Sequence, residues 1–199
     1  YIKEALRDKG VEIDKEELTQ TVKAVRDAME EIFPGPMRVM RWIEKEVSNA
    51  FKNEATELSW TTPSGFTVRQ RLNKKSTKIL DLKLLGRCRI HIADGDKGVD
   101  VRHHKNATAP NLIHSLDASL LHISATKFNA PIALIHDSVL CRATDMSNLS
   151  HLVRDTYMHL FAEHDYLSTF AESIGAETKP PMVDTLKPES VIESTYFFC

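Results

Sequence analysis

Apolar residues first recur at helical spacing. Leu18, Val22, Val25, Met29 and Ile32 stand three or four apart with charged residues between them, so residues 1 to about 33 read as core-facing helix. Pro34-Gly35-Pro36 breaks the pattern, and Met40, Ile43, Val47, Ala50 and Phe51 outline a second core-facing amphipathic helix. From Glu57 to Ala93 the period changes to two. ELSWTTPSGFTVRQRL predicts two strands around a Pro63-Ser64-Gly65 turn. KILDLKLLGRCRIHI alternates, with Leu80, Leu82 and Leu84 on one face. IADGDKGVD (92–100) reads as a polar, glycine-rich loop, and a helix is predicted from near Asn111 or Leu112, with Asn111 as N-cap after Pro110. APIALIHDSVLCRATD (130–145) predicts two short strands around His136-Asp137-Ser138. A single long amphipathic helix is predicted over SNLSHLVRDTYMHLFAEHDYLSTFAESI, then a proline-rich loop and the apolar STYFFC. The expected class is α+β, mostly helical with antiparallel hairpins.

Composition narrows this only slightly. With 199 residues, 42% hydrophobic and 27% charged, the chain has the make-up of one or two globular domains rather than a disordered or fibrous protein. Cys88, Cys141 and Cys199 are scattered and odd in number, which suits a reducing compartment and no disulfide framework. No apolar run approaches the ~18 residues of a membrane span, so no membrane partner is expected. The first residues do not read as a signal peptide. Beginning at Tyr1 inside a helical pattern, the sequence is expected to be a piece of a longer chain.

Charge distribution changes the picture more. A formal net charge of -2 conceals eight basic side chains between residues 69 and 89 (Arg69, Arg71, Lys74, Lys75, Lys78, Lys83, Arg87, Arg89) against one acid, Asp81. Residues 145 to 199 hold nine acids and three Lys/Arg. Alternation sends Arg87, Arg89 and His91 to the face opposite Cys88 and Ile90. Such a face is either solvated or a nucleic-acid contact, because a two-stranded ribbon fits a major groove and Arg pairs bidentately with guanine.

Asp-x-Asp in 92–100 lacks the spacing and closing Glu of a calcium loop. Nine histidines, among them His103, His104, His114, His122 and His136, invite a metal reading, but none forms the i, i+4 pair with Glu of a metalloprotease. Ser115 or Ser138 lacks the nucleophile elbow of a hydrolase. Asp137 is either a turn residue or one ligand of a two-metal phosphoryl-transfer site, which needs a further carboxylate from another strand.

Four segments together resemble the single-subunit, bacteriophage- and mitochondrial-type DNA-directed RNA polymerases. APNLIHSLDASLLH (109–122) is similar to that family's P-N-F-x-H-S-x-D segment, and ALIHDSV (133–139) to its palm hairpin. WTTPSGFTV (60–68) with LLGRCRI (84–90) resembles the promoter-reading hairpin, and STYFFC (194–199) the aromatic tail tucked near the active site. The match runs from about residue 20 to the end.

The resemblance implies the palm and distal-fingers part of a right-hand polymerase fold. Its expected divisions are a helical fingers/palm segment (1–56), a promoter-reading hairpin region (57–105) and a palm with catalytic hairpin and tail (106–199). It implies that Asp137 is a Mg²⁺ ligand, one of two carboxylates serving two ions in the complete enzyme, with His136 flanking it. His114 is implied to contact nucleic acid near the growing RNA end, with Asn111, Ser115 and Asp117 completing that segment. Asp81, Arg89 and His91 correspond to base-reading positions, and the Cys199 carboxylate, after Phe198, to the tail near the active centre. Implied partners are DNA template and promoter, RNA product, ribonucleoside triphosphates and the missing N-terminal part, which carries the other catalytic Asp and the nucleotide-binding helix. The isolated piece is expected to be inactive. The alternative is a non-catalytic DNA-binding module using the 69–91 hairpin. The expected location is the cytoplasm of an infected bacterium, or a mitochondrion or plastid.

Overall fold

A computed structural model describes residues 2–82, 88–182 and 187–197. The chain divides into two compact units, residues 1–41 with 181–184 and residues 42–180 with 185–199.

The first unit contains α1 (Ile2–Asp8) and α2 (Lys15–Ile32), where the apolar spacing predicts one helix. Gly10, at φ 72°, takes a left-handed conformation that ends the first run. Asp14 then starts α2 by accepting from the backbone N–H groups of Glu16 and Glu17, while the Glu17 carboxylate accepts from Asp14 N–H at 3.0 Å. This capping box satisfies donors that the start of a helix leaves open. No residue of α2 is buried, and Val25, Met29 and Ile32 are exposed, so the core-facing expectation fails for this helix. α3 (Pro34–Lys52) begins on Pro34 itself, where a missing N–H costs nothing.

The second unit has a mixed helical and antiparallel composition, the expected α+β class. It contains three two-stranded sheets: β1 (Leu58–Thr61) with β2 (Thr67–Gln70), β3 (Asn73–Leu82) with β4 (Cys88–Val99), and β5 (Ile132–Ile135) with β6 (Ser138–Cys141). Around them stand α4 (Val101–Lys127), α5 (Met146–Glu163), α6 (Tyr166–Ile174) and α7 (Ser190–Glu193).

Three expectations are corrected here. Residues 92–99 continue β4 rather than forming a loop. Register shifts opposite Lys75, together with positive φ at Gly95 and Gly98, absorb the irregular composition, and Asp96 accepts from Asn73 Nδ2 at 2.9 Å. α4 begins eleven residues earlier than predicted, with Asp100 as N-cap in place of Asn111, so Asn111 lies inside the helix and Pro110 is accommodated there. Tertiary hydrogen bonds to the segment before Pro110, described below, offset the lost backbone bond. The long helix after residue 145 is two helices, because Asp165 caps α6 anew through Ser168 N–H and Oγ.

The core gathers Trp42, Ile43 and Val47 of α3, Leu58 and Trp60 of β1, Leu112 and Leu116 of α4, and Phe170 of α6. Phe170 meets Trp60 edge-on at 5.6 Å and Trp42 at 6.4 Å. Both indoles also find polar partners, as buried Trp requires: Trp60 Nε1 donates to Ser115 Oγ and Trp42 Nε1 to Thr178 Oγ1, each at 3.1 Å. Buried Glu46 accepts from Thr178 Oγ1 at 2.6 Å and Glu177 N–H at 2.8 Å. Burial pushes its carboxyl up, but these bonds and the Lys45 charge outweigh burial and hold it below the usual range.

Candidate nucleic-acid interface and metal ligand

The basic segment folds as the long β3–β4 hairpin. Arg71, Lys74, Lys75, Lys78 and Arg89 are exposed, as is Arg69 on β2, which pairs loosely with Glu57 at 3.7 Å. Register places Asp81 opposite Arg89 and Ile79 opposite His91, so positions 81, 89 and 91 share one face of the ribbon. Ile90 and Ile92, on the other face, are exposed as well. Arg87 lies outside the described residues, as do Phe198 and Cys199.

The hairpin joins α4 through a polar hub that the sequence only hinted at. Fully buried His104 accepts the Leu72 N–H on Nε2 at 3.0 Å, lies 3.1 Å from the Gln70 amide on Nδ1, and packs against Phe51 at 4.4 Å. Gln70 Nε2 donates to Thr108 Oγ1 at 2.9 Å, and Asn111 Nδ2 donates to Gln70 Oε1 at 2.7 Å. Asn111 is therefore exposed yet tethered to β2. The adjacent histidines had suggested metal or core, and His104 is core.

Burial lowers the pKa of His104, and the neighbouring His103 charge acts in the same direction against Asp100. A backbone N–H can only donate, so Nε2 must be unprotonated in the folded state. The unfolded chain takes up this proton first. His104 therefore stabilises the fold above the ordinary histidine pKa of about 6.5, and that stability is lost as pH falls below it, by up to about 1.4 kcal/mol per pH unit. Urea midpoints from pH 7.5 to 5 should fall more steeply for the wild type than for His104→Gln. Equal slopes would remove His104 as the titrating group.

His114 and Asn111 lie on the exposed side of α4, with Ile113 52% exposed between them. Ser115 faces inward. Its hydroxyl donates to Leu112 O at 2.7 Å, receives the Trp60 indole N–H, and lies 3.1 Å from Tyr166 OH. Its hydrogen-bonding capacity is thus used in packing α4 against β1 and α6. Burial raises the Tyr166 pKa.

The β5–β6 hairpin pairs Ile135 with Ser138, leaving His136-Asp137 as a two-residue loop. His136 has φ 56° and Asp137 is not among the positive-φ residues, the sign pattern of a type II′ turn whose first position favours glycine. A side chain there costs roughly 1–2 kcal/mol, a local strain of the kind that gathers at functional sites. Asp137 is exposed, and among the described residues its carboxylate makes no hydrogen bond or ion pair. No group of three or more His, Cys, Asp or Glu able to hold a metal occurs among the described residues. A free, hard carboxylate oxygen fits one ligand position of a Mg²⁺ site, and the described residues do not complete the site.

Residues 1–198 match the family model for DNA-dependent RNA polymerase. The chain is 28% identical over 178 residues to a DNA-directed RNA polymerase of Pseudomonas phage phiKMV, covering 88% of the chain and 22% of that protein. It is 28% identical over 185 residues to the DNA-directed RNA polymerase of Enterobacteria phage T3, covering 83% and 21%. With DNA-directed RNA polymerase 2, chloroplastic/mitochondrial, of Arabidopsis thaliana it shares 29% identity over 184 residues, covering 88% and 18%. The chain thus spans about a fifth of the length of these curated relatives.

Proposed function

Because the chain belongs to the DNA-dependent RNA polymerase family of single-subunit, phage type, we propose that it is the palm and distal-fingers portion of an enzyme adding ribonucleotides to an RNA 3′ end on a DNA template. The observation that carries this reading is Asp137, an unpaired carboxylate held at the tip of a strained hairpin turn. Substrates are ribonucleoside triphosphates, and the partners are template DNA, RNA product and the remainder of the polymerase. In this reading the chain alone does not catalyse, because a two-ion site needs a further carboxylate that the remainder of the polymerase would supply.

Two bound Mg²⁺ ions would stabilise charge on the transferred phosphoryl group and lower the pKa of the attacking hydroxyl. Asp137 supplies a hard oxygen ligand, and the two-residue turn fixes the backbone position from which it extends. His114, exposed on α4, contacts nucleic acid near the growing end, and Asn111 is braced for the same task by Gln70. Ser115 acts from behind, holding the register of α4 against Trp60. Phe198 and Cys199 would bring the tail toward the same centre.

The ribbon face carrying Asp81, Arg89 and His91 would read promoter bases. Arg89→Ala should cost about 1–3 kcal/mol of discrimination between promoter and altered promoter while weakening non-specific binding much less. Competition binding at fixed salt measures both. A uniform loss across sequences would make Arg89 a phosphate contact.

The direct test is extension of an RNA primer on a DNA template by the longest natural polypeptide containing these residues. Mg²⁺-dependent, template-matched addition supports the proposal. Promoter-selective DNA binding without any addition would favour a binding module.

A further inference from the structure

The segment after residue 187 is held in a way the polymerase reading does not use. Arg154, on α5, donates through Nη1 to the carbonyl oxygens of Val191 and Ser194, the latter at 2.6 Å. Its guanidinium also lies over the Phe197 ring, 5.3 Å from the centroid. Tyr157, three residues further along α5, meets the other partner of that stack. Its ring contacts Phe197 edge-on at 5.1 Å and Phe161 at 4.4 Å. Val191 is buried beneath, where α7 packs on α5. One planar cation thus serves two main-chain carbonyls and an aromatic ring, which a lysine ammonium cannot do in the same geometry.

α5 packs on α4, and burial followed by the negative charge of Asp117 raises the Tyr157 pKa. Asp117 stands one turn beyond His114 on the exposed side of α4.

We propose that Arg154 and Tyr157 are positioning residues that clamp segment 190–197 onto α5 and carry its placement to α4, so that seating this segment sets the pose of His114 and Asn111. The clamp itself is independent of the reaction, whereas its effect on α4 rests on the polymerase reading.

The test uses the longest natural polypeptide, with Arg154→Lys and Phe197→Ala as variants. Phe197→Ala leaves α5 intact and guards against a misfolded first variant. Hydrogen exchange is followed over residues 187–197 and over α4, together with the thermal midpoint and primer-extension kinetics. Losing hydrogen bonds to a charged group should speed exchange in the segment about tenfold or more at an almost unchanged midpoint. A small misplacement of α4 should then lower kcat for nucleotide addition about tenfold while KM for the nucleoside triphosphate stays within about twofold. Unchanged exchange in both variants would overturn the clamp. Faster exchange with unchanged kcat would overturn the transmission to α4. If the wild type, supplied with the remainder of the polymerase, adds no nucleotide, the polymerase reading fails, and the exchange data still decide the clamp.

Discussion

Replacing Asp137 with alanine should lower template-directed nucleotide addition by about 100- to 1,000-fold or more, the scale at which removal of one transition-state electrostatic partner is felt. Asparagine should fare little better, because it keeps the shape but loses the charge that holds a divalent ion. The fold should hardly notice either change. Asp137 is exposed and its carboxylate bonds to nothing among the described residues, so the stability change should stay within about 0.5 kcal/mol. Primer extension and a thermal midpoint measured on the same polypeptide separate the two effects. Extension within tenfold of wild type would remove Asp137 from the metal site. A large drop in the midpoint would instead show that the residue serves the fold.

Phe170→Ala should produce the largest loss of stability, about 3–5 kcal/mol, the range for truncating a buried aromatic ring. Phe170 is 1% exposed and lies edge-on to both Trp42 and Trp60. Those indoles cannot collapse freely into the vacated space. Trp60 is tied to Ser115 and Trp42 to Thr178, and relaxation would break hydrogen bonds made by buried polar groups. Phe170→Leu, which keeps most of the volume, should cost less than about 1.5 kcal/mol. Urea unfolding followed by tryptophan fluorescence measures both. A cost below about 1 kcal/mol for alanine would mean that the site can close.

The contrast between these residues explains what could be read in advance. Period-two alternation marked β1, β2 and most of β3–β4, and the apolar side of α3 was legible because Ile43, Val47 and Ala50 are buried on one side. Asp137 stood out because an acid interrupts two apolar strands. His104 did not, since its partners Gln70, Leu72 and Phe51 are distant in sequence and only tertiary structure unites them. The same network misled the helix prediction. Pro110 and Asn111 carry strong start signals, but Asp100 and the bonds around His104 and Thr108 override them. The break between α5 and α6 was hidden for another reason. Apolar spacing continues through it, and only the Asp165 cap sets the boundary. Arg154 belongs with His104: nothing local marks a side chain whose acceptors lie 37 and 40 residues away.

Pro110 has a mechanical consequence. It removes one rung from α4 at the point where the helix passes from the segment tied to β2 into the length that bears His114. Both arms are nevertheless anchored, the first to β2 through Thr108 and the second to β1 and α6 through Ser115, so the missing rung falls between two separately held lengths of one helix. Asn111, the first residue past Pro110, is tethered back to Gln70 and so carries the hold of β2 across the missing rung.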